Sequence, residues 1–225
     1  MTKKVIIVVT NHDQLGTTGK TGWYLPEVAH PHHVFIKAGY EVTFVSPKGG
    51  KAPMDPSSEE AFKSDPVCQE FLKSTAKKLE NTVSPASVKS SDFKGLVYAG
   101  GHGPMFDMPN AKNVADLALA IYEKGGVLGA VCHGTVGFVP IKLKNGSPLV
   151  KDANVTSFTN SEEEAVKLVE AMPFLLETKL RELGAKFVGA ENFKANVQVS
   201  GRLVTGQNPA SSTPMAEEMV KLMNK

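Results

Sequence analysis

Lys4-Val5-Ile6-Ile7-Val8-Val9 places five apolar residues in a row with no polar alternation. A strand with one wet face alternates apolar and polar side chains. One buried on both faces reads as a continuous apolar run, the pattern of a parallel sheet covered by helices. Outward from this run, residues 41–46, 95–98, 127–131 and 154–157 read as further short strands. Helical patterns lie between or after them at 28–38, 113–124, 162–171 and 173–183. Gly39, Gly125 and Gly184 follow three of these helices, where a left-handed residue commonly stops one, and Pro173 suits a first helical turn. Residues 196–199 and 203–205 flank Ser200-Gly201-Arg202, the pattern of a hairpin at a sheet edge, and an amphipathic helix over 214–223 comes last. Residues 49–66, rich in Pro, Ser, Lys and Asp, read as surface loop.

The fold expected from this order is α/β: a flavodoxin-like, doubly wound, mostly parallel sheet sandwiched by helices, with a C-terminal hairpin, in one domain over residues 1–225. The 25 basic and 23 acidic residues leave a net charge of +2 and are interspersed, so no basic block exists to track a phosphate backbone and no nucleic-acid partner is expected. The first apolar run is too short to span a membrane and no small-residue cleavage site comes after it. The expected location is therefore cytoplasmic, with reduced thiols and no membrane partner. Cys68 and Cys132 are far apart and match no zinc-ligand spacing, so each is read as a free thiol.

Gly126-Val127-Leu128-Gly129-Ala130-Val131-Cys132-His133-Gly134-Thr135 carries the chemistry. A buried strand runs directly into a cysteine, and a helix begins within two residues. Ala130 and Gly134 are small enough for the sharp strand-to-helix turn that presents a nucleophile. The positive end of that helix is expected to lower the Cys132 pKa and favour thiolate. Cys68, among Phe71 and Leu72 on a helical pattern, reads instead as buried and inert. Ala99-Gly100-Gly101-His102-Gly103-Pro104 comes after a strand and offers backbone N–H groups for an oxyanion hole, without the spacing of a dinucleotide-binding fingerprint. Glu27 stands next to Pro26 in the region after strand one, on the Cys132 side of the sheet; it reads equally as a site carboxylate and as a first-turn helix glutamate.

These elements together resemble the DJ-1/PfpI superfamily, and more closely its Hsp31-like, glutathione-independent glyoxalase (glyoxalase III) branch. The carriers are Pro26-Glu27 with His30-Pro31, Tyr98-Ala99-Gly100-Gly101-His102-Gly103, Ala130-Val131-Cys132-His133-Gly134, Ser157-Phe158-Thr159 with its glutamate run, and residues 201–211. The resemblance implies Cys132 as nucleophile, His133 as its acid–base neighbour, Glu27 as the carboxylate on the thiol and Glu163 as the triad acid, with Glu162 and Glu164 as neighbouring choices. It also implies an oxyanion hole from the Gly101 and His133 N–H groups. The substrate pocket would be drawn from Gly100, His102, Trp23, Tyr24 and His30. The implied reaction converts methylglyoxal, a small dicarbonyl, to lactate without a redox cofactor, as a lyase of the D-lactate dehydratase type in a homodimer.

A glutamine amidotransferase takes its triad histidine from later in the chain, and no histidine lies beyond His133. A PfpI-type peptidase or amidase shares the Cys-His pair, and a redox sensor or stress chaperone would use the same accessible thiol. His30, His32 and His33 cluster, with His30 and His33 near one helix face, but the sequence places no second carboxylate beside them. No required metal and no other cofactor are expected.

Overall fold

The computed structural model describes residues 3–17 and 19–225. Strand β1 (Lys4–Val8) leads through a small hairpin, β2 (Gln14–Leu15) and β3 (Gly19–Lys20), into α1 (Leu25–Lys37) and β4 (Glu41–Val45). Helices α2 (Pro56–Ala61) and α3 (Pro66–Ser74) precede β5 (Gly95–Tyr98), the short α4 (Pro104–Asp107), α5 (Lys112–Glu123) and β6 (Val127–Val131). A 3₁₀ segment, Cys132–Phe138, precedes β7 (Asn154–Val155), α6 (Asn160–Ala165), α7 (Leu176–Glu182) and β8 (Lys186–Phe187). The hairpin β9 (Val197–Ser200) and β10 (Leu203–Gly206) and then α8 (Ser212–Met223) close the chain.

The main sheet has the order β4-β1-β5-β6-β10-β9, parallel except for β9. Its first four strands adopt the doubly wound pattern, and the hairpin supplies the far edge. Because neighbouring residues on a strand face opposite ways, the apolar run splits between two cores. Ile6 and Val8 pack with Leu96, Tyr98 and Leu128 under α5. Val5, Ile7 and Val9 pack with Val97, Val131 and Val204 under α1, α3 and α8. The run in β1 is unbroken because both of its faces are covered. Gly39, Gly125 and Gly184 stand at φ +80°, +90° and +85°, as helix-stopping glycines do. The two-residue turn at Gly201-Arg202 sets the β9–β10 register through the pair Ser200–Leu203.

Four expectations change. Residues 154–157 do not join the main sheet, since β10 already lies between β6 and β9; β7 pairs instead with β8. The 162–171 pattern is no single helix. α6 stops at Ala165, Lys167 turns left-handed at φ 60°, and a 3₁₀ turn covers Val169–Ala171. Pro173 lies ahead of α7 rather than in its first turn. Within 49–66, the Asp55 side chain accepts from the Ser57 N–H and nucleates α2, a turn of helix that the loop-like composition concealed.

A Cβ at Gly134 would come 2.3 Å from the Tyr98 carbonyl oxygen, so the segment after Cys132 lies directly on β5. Gly134→Ala is expected to lower unfolding free energy by about 1–3 kcal/mol, read as a fall in the urea midpoint at constant slope. An unchanged midpoint would mean that the turn moves away from β5 without cost.

Candidate active site

The loops leaving the carboxyl ends of β1, β5 and β6 converge on one crevice, the usual ligand position in a doubly wound sheet. Val131 is still extended (φ −135°, ψ 142°), and Cys132 then turns left-handed at φ 57°. A non-glycine residue held there costs about 1–2 kcal/mol, and the close packing of Gly134 on Tyr98 holds the bend in place. From Cys132 onward the chain winds as 3₁₀ rather than α-helix.

Cys132 Sγ lies 3.4 Å from His133 Nδ1. His133 Nε2 is 2.5 Å from Glu163 Oε2, and the other oxygen of Glu163 is 2.9 Å from His102 Nε2. The two imidazole rings stand 4.2 Å apart, and Phe158 stacks at 4.6 Å from the His133 ring. Of the three consecutive glutamates, only Glu163 reaches this site. Glu162 closes a capping box with Thr159 and accepts from Asn208 Nδ2 and the Phe193 N–H, while Glu164 is exposed.

On the other side of the thiol lies Glu27, fully buried in the first turn of α1. Neither of its carboxyl oxygens has a hydrogen-bond partner of normal geometry. A Cβ on Gly100 would stand 2.3 Å from Glu27 Oε2 and 3.0 Å from Cys132 Cβ, so only glycine lets this loop pass between them. Burial lifts the Glu27 pKa to about 8; the Cys132 thiol and the Gly100 and Gly101 N–H groups oppose that rise without cancelling it.

The expected acid thiol is not found. Burial, then the facing Glu27 charge, push the Cys132 pKa well above its ordinary value, against the smaller pull of the His133 N–H. The seven-residue 3₁₀ segment replaces the helix whose dipole was to favour thiolate. Burial and the neighbouring His102 lower His133 to about 4, leaving it neutral at pH 7 despite Glu163. Burial raises Glu163, but hydrogen bonds from His102 and His133 outweigh it and hold the carboxyl at about 2. A neutral His133 that gives its Nε2–H to ionised Glu163 turns a free Nδ1 lone pair toward the thiol.

Tyr24, Glu27, Gly101, His102, Cys132 and His133 line one cavity of about 440 Å³. Its apolar wall is Phe158, Val166, Leu168 and Phe193, with Lys20 and Ser57 also on its lining. Three residues expected in the pocket lie elsewhere. Gly100 backs Glu27 and accepts from the Tyr24 N–H. Trp23 is buried, donating Nε1–H to the Ala52 carbonyl, and its backbone ties down Pro53 and Asp55. His30 is not on the cavity lining and pairs instead with Asp65 at 3.0 Å. Sequence motifs do not reveal the apolar wall. Phe158 belongs to the Ser157-Phe158-Thr159 motif, but Val166, Leu168 and Phe193 reach the site through left-handed Lys167 and Phe193 itself (φ 60° and 62°). Among the described residues, no helix is long and apolar enough to cross a membrane.

The DJ-1/PfpI family profile matches residues 22–222. Glyoxalase 3 of Candida albicans is 31% identical over 96% of this chain and 97% of its own. The glutathione-independent glyoxalase HSP31 of Saccharomyces cerevisiae is 33% identical over 93% of each chain. Among solved structures, the Rapid Encystment Protein of Francisella tularensis superposes with a TM-score of 0.93 at 36% identity, covering 98% of this chain and 99% of its own. The crystal structure of glyoxalase III from Candida albicans superposes with a TM-score of 0.89 at 28% identity, covering 98% and 97%.

The Glu27 pKa makes stability depend on pH. A carboxyl moved from 4.5 to about 8 keeps its proton in the fold after the unfolded chain has lost it. Between those values the folded state binds more protons, so stability falls as pH rises; the contribution is full below 4.5 and gone above about 8. His133, lowered to about 4, adds an opposite slope below 6.5 that a Glu27 variant shares. From pH 5 to 8 the wild type should therefore lose stability relative to Glu27→Gln in denaturant titrations. Parallel curves would show that Glu27 is already ionised at pH 5.

Proposed function

The chain belongs to the DJ-1/PfpI family, and on that premise we propose that it is a glutathione-independent glyoxalase, converting methylglyoxal and similar 2-oxoaldehydes to 2-hydroxy acids. The observation that carries the reading is the flanking of one buried thiol. On one side stands a neutral imidazole backed by a carboxylate, and on the other an unpaired carboxyl with a pKa of about 8. Isomerising a 2-oxoaldehyde needs a nucleophile and a base that can carry a carbon-bound proton to the next carbon, and this site holds both. The similar proteins, glyoxalase 3 and a glutathione-independent glyoxalase, support the same chemistry.

In the proposed sequence, His133 Nδ1 takes the Cys132 proton as sulfur attacks the aldehyde carbon, and the imidazolium is held by Glu163. The aldehyde oxygen develops negative charge near the Gly101 and His133 N–H groups and takes a proton to give a hemithioacetal. The Glu27 carboxylate removes the hydrogen on that carbon as the ketone oxygen takes a proton, forming an enediol. It then returns the hydrogen to the adjacent carbon as the hydroxyl on the sulfur-bearing carbon gives up its proton, which leaves a Cys132 thioester of the 2-hydroxy acid. Water hydrolyses the thioester and restores the thiol. The sum is oxoaldehyde plus water to hydroxy acid, with no net oxidation and no step that calls for a metal. A Glu27 pKa of about 8 suits this duty, because a base poised near the working pH both takes and returns a proton. The cavity of about 440 Å³, closed on one side by Phe158 and Phe193, has the scale of a small molecule. The enzyme is accordingly a lyase of the D-lactate dehydratase type, working in the cytoplasm as a homodimer of single-domain chains.

Purified protein given methylglyoxal without glutathione should yield lactate as the dicarbonyl disappears, and Cys132→Ser should yield none. Glu27→Gln should be slower by about 10²–10⁴-fold while its thiol still forms adducts. Dicarbonyl loss without lactate in the wild type would reduce the site to a reactive thiol and defeat the proposal.

A further inference from the structure

His30, in α1, belongs to a cluster with His32 and His33 that lacks a carboxylate along the sequence. The fold supplies one from outside that segment. Asp65 and Cys68, at the start of α3, meet His30 outside the lining of the substrate cavity. One potential ligand atom from each of the three, an imidazole nitrogen, a carboxylate oxygen and a thiol sulfur, lies within 4.8 Å of the other two. We propose that His30, Asp65 and Cys68 form a divalent-cation site of the zinc class that clamps α1 to α3.

The geometry comes close to a coordination sphere. Tetrahedral zinc, with bonds of about 2.0 Å to nitrogen and oxygen and about 2.3 Å to sulfur, holds N and O roughly 3.3 Å apart and N and S roughly 3.6 Å apart. Here His30 Nε2 is 3.0 Å from Asp65 Oδ2 and 3.8 Å from Cys68 Sγ. Small side-chain adjustments would close both differences.

The outer partners are also in place. Asp65 Oδ1 is fixed by the N–H groups of Val67 and Cys68, which leaves Oδ2 for the cation. Thr213 Oγ1 lies 3.2 Å from His30 Nδ1, where it can accept the ring proton once Nε2 is a ligand. A second partner of this kind fixes the tautomer of metal-bound histidines. The Cys68 side is buried, whereas the His30 and Asp65 side chains remain 20% and 24% exposed, so an ion can enter and water can complete the sphere. On binding, the Cys68 S–H bond gives way to a sulfur–metal bond and the proton leaves to solvent. The ligand set of one nitrogen, one oxygen and one sulfur suits zinc or cobalt and disfavours magnesium or calcium. His30 lies three residues beyond Glu27 on α1, so the clamp would steady the helix that carries the catalytic carboxyl without taking part in the reaction.

Cobalt(II) tests the site, because thiolate coordination produces a near-ultraviolet charge-transfer band. Metal-free wild type should bind one Co²⁺ with that band, and zinc should displace it. The band should persist in Cys132→Ser, which removes the only other thiol, and vanish in Cys68→Ser. Asp65→Asn can still cap α3, so it should fold while weakening binding; Thr213→Val should weaken it by about 10–100-fold. No band in the wild type, a band retained in Cys68→Ser, or a band lost in Cys132→Ser would each overturn the proposal. The last would place the ion at His102, His133 and Glu163 beside the catalytic thiol. Should Cys68→Ser fail to fold, His30→Gln serves instead, and an undiminished band there would also overturn it.

Discussion

The structure turns on the burial of one carboxyl, Glu27, against one thiol, Cys132. Both groups are buried, and both ordinary pKa values are displaced upward. Two negative charges buried in such contact disfavour one another, so the pair holds at least one proton through the neutral range and titrates as a unit. The surrounding backbone keeps the two groups together. Gly100 must lack a side chain because a Cβ there would run into Glu27, Cys132 and the Val131 carbonyl, and Cys132 itself takes a left-handed backbone. The continuous strands beneath are the rigid base that sustains that strain.

This constraint explains why the site needs two acid–base systems rather than one. The carboxyl is close to the thiol but prefers to keep a proton, so on its own it is a weak means of making thiolate. Neutral His133 accepts at Nδ1 only because its other nitrogen is committed to Glu163. Glu163 in turn stays ionised because two imidazoles converge on it. Glu162 obeys a different logic one residue earlier. Its oxygens hold Thr159, Asn208 and the Phe193 backbone, fixing the frame that aims Glu163 and the aromatic wall.

Much of this is legible in the sequence, for identifiable reasons. The run 5–9 announces a strand buried on both faces because burial leaves no polar alternation, and the glycines after α1, α5 and α7 mark their ends because φ near +80° to +90° demands them. Cys132 and His133 can be named as candidates because a local motif carries them, whereas Glu163 follows only from the resemblance, which leaves Glu162 and Glu164 open until the fold brings Glu163 onto His133. Trp23 and His30 escape correct placement because motif proximity does not give side-chain contacts: one turn along α1 from Glu27, which lines the cavity, His30 is held by Asp65 and Cys68 instead. Residues 154–157 miss the main sheet because strand propensity is silent on whether an edge is vacant. The apolar wall stays hidden because it depends on Lys167 and Phe193 adopting left-handed backbone, which neither residue type advertises.

The failure of the expected low thiol pKa bears on how the site works. A cysteine activated by a helix dipole is thiolate at rest, and a resting thiolate is oxidised by whatever reaches it. Here burial favours the protonated sulfur at rest, and in the proposed reaction thiolate arises by transfer to His133. That transfer converts a neutral thiol and a neutral imidazole into an ion pair without changing the site's net charge. Glu163 stabilises the cation, while the sulfur anion is consumed as soon as a carbonyl carbon is within reach. In the proposed reaction the developing charge then moves from sulfur to the substrate oxygen, which relieves the Glu27 repulsion that adds to burial in raising the thiol pKa. On the proposed mechanism, one of the interactions that suppress thiolate at rest thus weakens along the reaction, so that carbon–sulfur bond formation is favoured over free thiolate.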